Sequence, residues 1–464
     1  MRLAAVAAGL VLAGCAAGPD YHRPALPVPT TYPGTAEQAA PSLGDAAWMS
    51  VYGEPQLQDL IRTALRNNLD LKIAVARIDA ARAAIGATRL GLGPQVDVRG
   101  TVGRDQSSLD TRLPPGAPSY RSSEEAVAAV SWELDLWGRL RRANEAGRAT
   151  LLSARYAQRA VAVTLIANVA GAYFNLLGLD TELEITTRTV GSRDKFVELT
   201  RAQHERGYAT GLDVATAEAQ AAAARANLPD LARRIGQTEN LLSTLLGENP
   251  HPIPRPHRGE AMPSAPPPPP AGLPSELLER RPDIRAAEES LRAANAEIGI
   301  AKAALFPTIS LTGATGSLSA PLGRLFTAPT AEWSVAAGLV QPLLDSQRSL
   351  YQVELADARK REALYLYASR VQTAFQEVAD ALLAYGKYGD FAREQAMQVE
   401  ALRRAQTIAL ARYRVGYASY FDVINADRDL FASELALSQA YANSLAALVR
   451  LYQVLGGGWQ DAAP

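Results

Sequence analysis

The residues that could carry acid–base, nucleophilic or metal chemistry are few and poorly spaced for it. The four histidines, His22, His204, His251 and His257, are scattered, and the last two stand in a proline tract that favours solvated loop. Cys15 is the sole cysteine, which excludes an intramolecular disulfide and a thiolate cluster. Four methionines make no metal-handling ladder, and no P-loop, Gly-x-Ser-x-Gly or His-Glu-x-x-His occurs. A net charge of −1 gives no long-range field for nucleic acid. These observations argue against an enzyme, a metalloprotein with a bound cofactor and a nucleic-acid binder. The spacing that does recur is of another kind. Gly207-Tyr208-Ala209-Thr210-Gly211-Leu212-Asp213 returns as Gly416-Tyr417-Ala418-Ser419-Tyr420-Phe421-Asp422, a shift of 209 residues. In each, a glycine can take the positive φ that ends a helix. The following [ST]-x-x-D is a capping box that starts the next one. Asp213 and Asp422 are therefore first-turn acids at the tips of two helical hairpins.

Those tips need long helices behind them. From 139 to 206 and from 346 to 414 the chain is helical in pattern and free of proline, and 67 residues at 1.5 Å each make roughly 100 Å. The first carries a heptad seam at Tyr156, Ala160, Val163, Ala167, Ala170, Phe174 and Leu177. The second carries one at Leu364, Tyr367, Val371, Ala374, Val378, Ala381 and Tyr385. Shorter return helices follow the tips at 207–211 and 415–419, and Pro229 should bend the first of them.

Ahead of each long helix the period falls from 3.6 to 2. Val96, Val98 and Val102 alternate with Gln95, Asp97, Arg99 and Thr101; Val130, Trp132, Leu134 and Leu136 alternate with Ser131, Glu133 and Asp135. This is a hairpin over 95–137, with a loop at about 104–121 and one apolar face. A second hairpin over 307–341 has Ile309 and Leu311, then Trp333, Val335, Ala337 and Leu339, around a loop at about 317–330. Trp132, Trp137 and Trp333 suit an interfacial belt. The amphipathic pattern that begins at Leu57 and Leu60 reads as one helix running through Ile85.

The order of elements thus repeats as well as the residues. A shift of 213 lays Asp70 on Asp283, Ile85 on Ile298, Gly86 on Gly299, Pro94 on Pro307 and Gly100 on Gly313. The first repeat spans 56–249 and the second 281–458. Between them, 250–280 is a proline-rich linker, with eleven prolines in 250–274, and 459–464 form a tail.

The N-terminus has an address. Arg2, an apolar run from Leu3 to Leu12 and small residues before Cys15 describe a signal peptide over 1–14, too short to span a membrane. Cys15 in that place reads as a lipidation site, the first residue of the mature chain. Residues 15–55, with seven prolines, read as a lipidated extended arm. Four strands cannot close a barrel, for which about eight is the smallest natural number. An open, two-faced sheet on a lipidated chain is best closed by copies of itself, with the long helices continuing the wall away from the membrane.

On these residues the chain resembles the TolC/OprM family of outer-membrane factors, in its OprM- or NodT-like lipoprotein branch. The matching text is Cys15-Ala-Ala-Gly-Pro-Asp-Tyr21, Arg280-Arg-Pro-Asp-Ile-Arg-Ala-Ala287, Ala294-Asn-Ala-Glu-Ile-Gly299, Phe306-Pro307 with Ser310-Leu-Thr-Gly313, and both tips. The resemblance implies a mainly α fold with a small transmembrane β part, closed as a homotrimer with a twelve-stranded barrel and a periplasmic α-helical tunnel. It implies outer-membrane localisation, and partners in a periplasmic adaptor (membrane fusion protein) and an inner-membrane transporter of the resistance–nodulation–division class. It also implies a passive exit duct for drugs or other small toxic compounds, with no cofactor beyond the lipid on Cys15. Protein export by a type I system and a structural or adaptor lipoprotein are the alternative functions. The family's periplasmic gate maps onto Phe421, Asp422 and Asn425, with Tyr413 nearby and Asp213 at the other tip. The adaptor-contacting tips map onto Gly207, Tyr208, Gly416 and Tyr417. The chain departs from the pattern at Ala418, where some relatives have a locking arginine, and at Asn425, where relatives often have an acid. An apolar Phe421 ring then replaces an ionic lock as the expected barrier.

Overall fold

A computed structural model describes residues 16–32, 42–106, 120–255, 272, 274–343 and 346–458. Cys15 with the signal 1–14, residues 107–119 of the first hairpin loop, 256–271 of the linker and the tail 459–464 lie outside the described residues. The elements are α1 (Pro55–Asn67), α2 (Leu69–Leu90), β1 (Gln95–Gln106), β2 (Tyr120–Leu134), α3 (Arg139–Glu205) and α4 (Gly211–Leu245). They are followed by α5 (Pro274–Arg280), α6 (Pro282–Ala303), β3 (Thr308–Ser319), β4 (Ala331–Val340), α7 (Ser346–Arg414) and α8 (Tyr420–Val454). The two halves match in length as well as order: α2 and α6 have 22 residues each, and α4 and α8 have 35 each.

The chain folds as two compact units. One comprises residues 1–25, 76–155 and 286–368; the other comprises 26–75, 156–285 and 369–464.

The first unit holds an antiparallel sheet in the order β1-β2-β3-β4. Register puts the apolar residues of all four strands on one face: Val96 opposes Val130, Val130 opposes Gly313, Gly313 opposes Val335, and Trp132 opposes Leu311. Nothing covers that face, since Val98 is 84% and Trp333 79% exposed. The ladder runs further than the alternating pattern suggests, to Gln106 paired with Tyr120 and to Ser319 paired with Glu124. Glycines and serines blur the hydrophobic alternation there, while backbone pairing does not depend on it.

At the base of the sheet, side chains tie neighbouring strand–helix junctions together. Trp132 Nε1 donates to the Leu92 carbonyl (3.1 Å), Trp137 Nε1 to Pro307 (2.8 Å) and Gln341 Nε2 to Leu305 (3.2 Å). Trp137 also stacks on Phe306 at 4.8 Å. The N-terminal arm docks on this belt. Ala17 N donates to the Trp137 carbonyl (2.8 Å), and buried Arg142 donates to the Ala17 carbonyl (3.2 Å) and to Asp20 (2.8 Å). Gly18, at φ +92, lies so close that a Cβ there would stand 2.4 Å from the Gly299 Cα.

The second unit holds the main core. Leu57 and Ile61 of α1, Leu176 and Leu179 of α3, Leu242 of α4 and Val449 of α8 are buried together. Each such side chain contributes about 1.5–3 kcal/mol. The α3 seam is buried at Val163, Ala167, Ala170 and Phe174, but Leu165, Ile166, Val169 and Tyr173 between them are buried too. In α7 only a narrow heptad stripe is covered, through Val371, Ala374, Val378, Ala381, Tyr385, Ala392 and Val399. Leu383, Phe391 and Met397 outside that stripe stay exposed.

Three expectations are corrected here. The pattern from Leu57 is two helices, because Asn68 leaves the helical region (ψ 133). Its Oδ1 accepts from Leu71 N (3.1 Å) and its Nδ2 donates to the Leu245 carbonyl (3.0 Å). The arm is not uniformly extended: a helical turn at Trp48–Val51 buries Trp48, and Tyr52 follows it into the core. Lastly, α4 runs unbroken through Pro229.

Candidate functional site: the paired hairpin tips

All the tip residues belong to the second unit, and each tip is built by the same local hydrogen bonds. At the end of α3, Tyr208 N donates to the Gln203 carbonyl (2.8 Å) and Gly207 N to His204 (2.9 Å). At the end of α7, Tyr417 N donates to Arg412 (2.8 Å) and Gly416 N to Tyr413 (3.0 Å). This is the Schellman arrangement, with Gly207 at φ +78 and Gly416 at φ +81. A Cβ added at either glycine would meet nothing within 4 Å, and Tyr208 and Tyr417 are among the most exposed large side chains described.

The capping boxes close reciprocally. Asp213 Oδ2 accepts from Thr210 N (2.8 Å) and Oγ1 (2.7 Å), while Asp213 N donates back to Thr210 Oγ1 (3.2 Å). Asp422 does the same with Ser419, at 2.9, 2.8 and 3.3 Å. The Thr210 backbone and side-chain hydrogen bonds hold the Asp213 carboxyl below its ordinary range. Those of Ser419, side chain first, do so for Asp422. Both acids are therefore ionised at neutral pH and already engaged in starting α4 and α8.

The remaining gate candidates are divided by the structure. Phe421 and Asp422 are exposed on the first turn of α8, with Asn425 half-buried one turn on. Tyr413 does not join them. Its hydroxyl donates to Gln203 Oε1 (2.8 Å), and its ring lies 5.9 Å from Phe196 and 6.1 Å from Tyr420. Phe196 and Tyr420 themselves stack at 5.0 Å. Burial pushes the Tyr420 hydroxyl up to about 12.

Sequence reasoning missed what clamps the hairpins together. Buried Arg193 of α3 donates to Asp427 of α8 (2.8 Å) and to the Gln220 carbonyl of α4 (2.9 Å), and its guanidinium lies 5.1 Å over the Phe431 ring. Gln406 of α7 donates to the other Asp427 oxygen (2.9 Å). One carboxylate therefore gathers side chains from two other helices. Further along, Glu434 accepts from Arg188 (2.6 Å) and Arg403 (2.8 Å), binding α3 and α7 to α8 a second time. Among the described residues no cluster of His, Cys, Asp and Glu is placed to hold a metal ion.

The comparisons with known proteins agree with this geometry. A family model described as "Outer membrane efflux protein" matches residues 60–248 and 273–457. The outer membrane protein OprJ of Pseudomonas aeruginosa is 35% identical over 471 residues, covering 99% of this chain and 96% of that one. The toluene efflux pump outer membrane protein TtgC of Pseudomonas putida is 34% identical over 459 residues, covering 97% and 94%. Among solved structures, the outer-membrane channel OprN superposes with a TM-score of 0.86 at 30% identity, covering 96% of this chain and all of that one. The open state of the Neisseria gonorrhoeae MtrE outer-membrane channel gives 0.84 at 31%, covering 96% and 99%. A bare-faced four-stranded sheet continued by two long helical hairpins is thus the protomer of a known kind of channel, and the chain belongs to the outer membrane efflux protein family, as an outer-membrane component of an efflux system.

Proposed function

We propose that three copies of this chain close a twelve-stranded barrel and form the passive exit duct of a tripartite efflux pump. In that assembly the tips meet a periplasmic adaptor, and the cargo is small toxic compounds delivered by an inner-membrane transporter of the resistance–nodulation–division class. The observation that carries this reading is the sheet: β1 and β4 are both unpaired on their outer sides, and its apolar face is bare. Such edges and faces are stable only when paired and covered. The names of the relatives, which concern toluene, solvent and antibiotic efflux, favour small molecules over proteins as cargo. Nothing in the duct calls for catalysis. Native mass spectrometry of the detergent-solubilised protein should show a trimer, and deleting the gene should raise susceptibility to solvents and antibiotics. A folded monomer together with unchanged susceptibility defeats the proposal.

Lipidation of Cys15 belongs to the same reading, since Ala16 and Ala17 end against the Trp137–Gly138 bend at the base of the sheet. Cys15→Ala should remove the mass of the lipid and lower the membrane-bound fraction; an unchanged mass removes the anchor from the model.

The periplasmic gate is assigned to Phe421, Asp422 and Asn425 at the start of α8. Tyr413 and Asp213 hold the two tips in place behind it. Three exposed phenylalanines around a narrow mouth disfavour ions by leaving them unsolvated. Phe421→Ala should raise single-channel conductance in planar bilayers, whereas Tyr413→Phe should act through the lost Gln203 hydrogen bond and more weakly. Equal conductance for Phe421→Ala and the parent at every voltage moves the constriction elsewhere.

A further inference from the structure

A cavity of about 820 Å³ opens in the first unit beside the docked arm. One wall is Asp20 and Tyr21 of the arm, another is Glu289 and Arg292 of α6, and the roof is Leu92 in the α2–β1 turn. Its floor is a single stripe of α3, from Arg141 through Asn144 and Arg148 to Leu152, at the spacing of one helix face. The cavity lies where the sheet ends. The Leu92 carbonyl is the one that Trp132 of the apolar face binds, and Arg141 is fixed to the Asp135 carboxylate (3.3 Å) and to the carbonyls of Asp135 and Leu136.

Most of its charges are already matched. Arg142 behind the floor serves Asp20 and Glu145, and Arg292 pairs with Glu289 (3.2 Å) and lies 4.9 Å over the Tyr21 ring. Two groups are not. The exposed Arg148 guanidinium makes no hydrogen bond or ion pair among the described residues. Asn144, only 7% exposed, has its Oδ1 buried without a donor. A buried acceptor left unmatched costs about 1–3 kcal/mol, so the site is incomplete as it stands. Asn144 and Arg148 are one helical turn apart, roughly 6 Å. Helical side chains lean toward the helix N-terminus, which for Arg148 is the direction of the sheet.

An unmatched cation one turn from an unmatched acceptor that sits beside the Glu145 and Glu289 carboxylates complements a zwitterion. The cation suits a phosphate, and the acceptor with its flanking carboxylates suits an ammonium group. We propose that this cavity binds the phosphoethanolamine head of a phospholipid from the periplasmic leaflet of the outer membrane. Its acyl chains would rise past Leu92 and Trp132 onto the apolar face of the sheet. The lipid attached to Cys15 is a different molecule with no phosphate and does not satisfy Arg148. The docked arm forms one wall, so the site exists only when residues 16–23 are seated.

The test is native mass spectrometry of the purified full-length protein, stripped of lipid in detergent and then titrated with defined lipids. Phosphatidylethanolamine should be retained at one per protomer, at least tenfold better than phosphatidylglycerol, which lacks the ammonium, or diacylglycerol, which lacks the phosphate. Soluble glycerophosphoethanolamine should compete in millimolar excess. Arg148→Ala should lose the preference and Arg148→Lys should keep part of it. Asn144→Leu should bring retention of phosphatidylethanolamine down to that of phosphatidylglycerol. Equal retention of the two lipids by the parent, or undiminished retention by Arg148→Ala, overturns the assignment. The inference rests on the sheet lying in the membrane. Oligomeric state is read in the same spectra, so a failure of assembly is told apart from a failure of lipid selection.

Discussion

Replacing Arg281 by alanine should cost about 3–5 kcal/mol, the usual penalty for removing one partner of a buried ion pair. Its guanidinium, 8% exposed, donates to both oxygens of Asp283 (3.0 and 2.7 Å) and to the Val454 carbonyl at the end of α8 (3.3 Å), and pairs with Glu377 (2.7 Å). Alanine would leave two carboxylates and a helix-end carbonyl unmatched. Lysine should recover only part of the loss, since an ammonium cannot serve Asp283 with two parallel N–H groups. In the first repeat Asn68 takes the matching place, donating to the Leu245 carbonyl at the end of α4. Asn68→Ala should cost about 1–3 kcal/mol, because no charge is stranded. Thermal unfolding followed by circular dichroism reads both. A melting temperature for Arg281→Ala within a degree of the parent would show that the cluster holds nothing together.

The cluster also sets a pH dependence. Burial raises the Asp283 carboxyl, but the Arg281 hydrogen bonds and charge, with backbone N–H donors, outweigh it and hold it below its ordinary range. A depressed folded-state value means that the stabilisation is complete above the unfolded value of about 3.9 and fades as pH falls through the folded one. The difference between the parent and Arg281→Ala should stay level from neutral pH down to about 4 and narrow only below that.

The second large effect is expected at the tips. Gly416→Trp should abolish efflux while the trimer still assembles in the membrane, because the new side chain enters open space at the proposed adaptor surface. Gly416→Ala is the control. It suffers the same positive φ, worth roughly 1–2 kcal/mol in a chain this large, but adds almost no bulk, and should keep most of the activity. Drug susceptibility and the heat-resistant trimer band should be scored side by side. Full resistance in Gly416→Trp cells would place the adaptor elsewhere, and loss of the band in both variants would reduce the site to a helix end.

The sequence speaks clearly where a structural signal fits within a few residues. The glycine, the [ST]-x-x-D box and the alternation of Val96, Val98 and Val102 are local, so each can be read from the elements it builds. Asn68 was opaque because a capping asparagine inside an amphipathic pattern looks like any exposed polar residue. Trp48 and Tyr52 were hidden by the prolines around them. The clamp of Arg193, Gln406 and Asp427 is beyond such reading, since Arg193 and Asp427 are 234 residues apart and only folding makes them neighbours. The same holds for the cavity at Arg148, whose arm wall and helix floor are more than a hundred residues apart.

The order β1-β2-β3-β4 leaves two unlike edges, so each subunit must offer β1 to one neighbour and β4 to the other. Closure of that kind is head-to-tail, and no pair of subunits can satisfy itself by twofold symmetry. In genetic terms the chain is exposed to poisoning by its own mutants. A subunit with proline set into β4 could still enter a ring through β1 and would leave it open. Expressed in equal amount with the parent, it would spare only roughly one ring in eight, since all three places must be filled correctly. A damaged allele should therefore sensitise cells that still carry an intact copy.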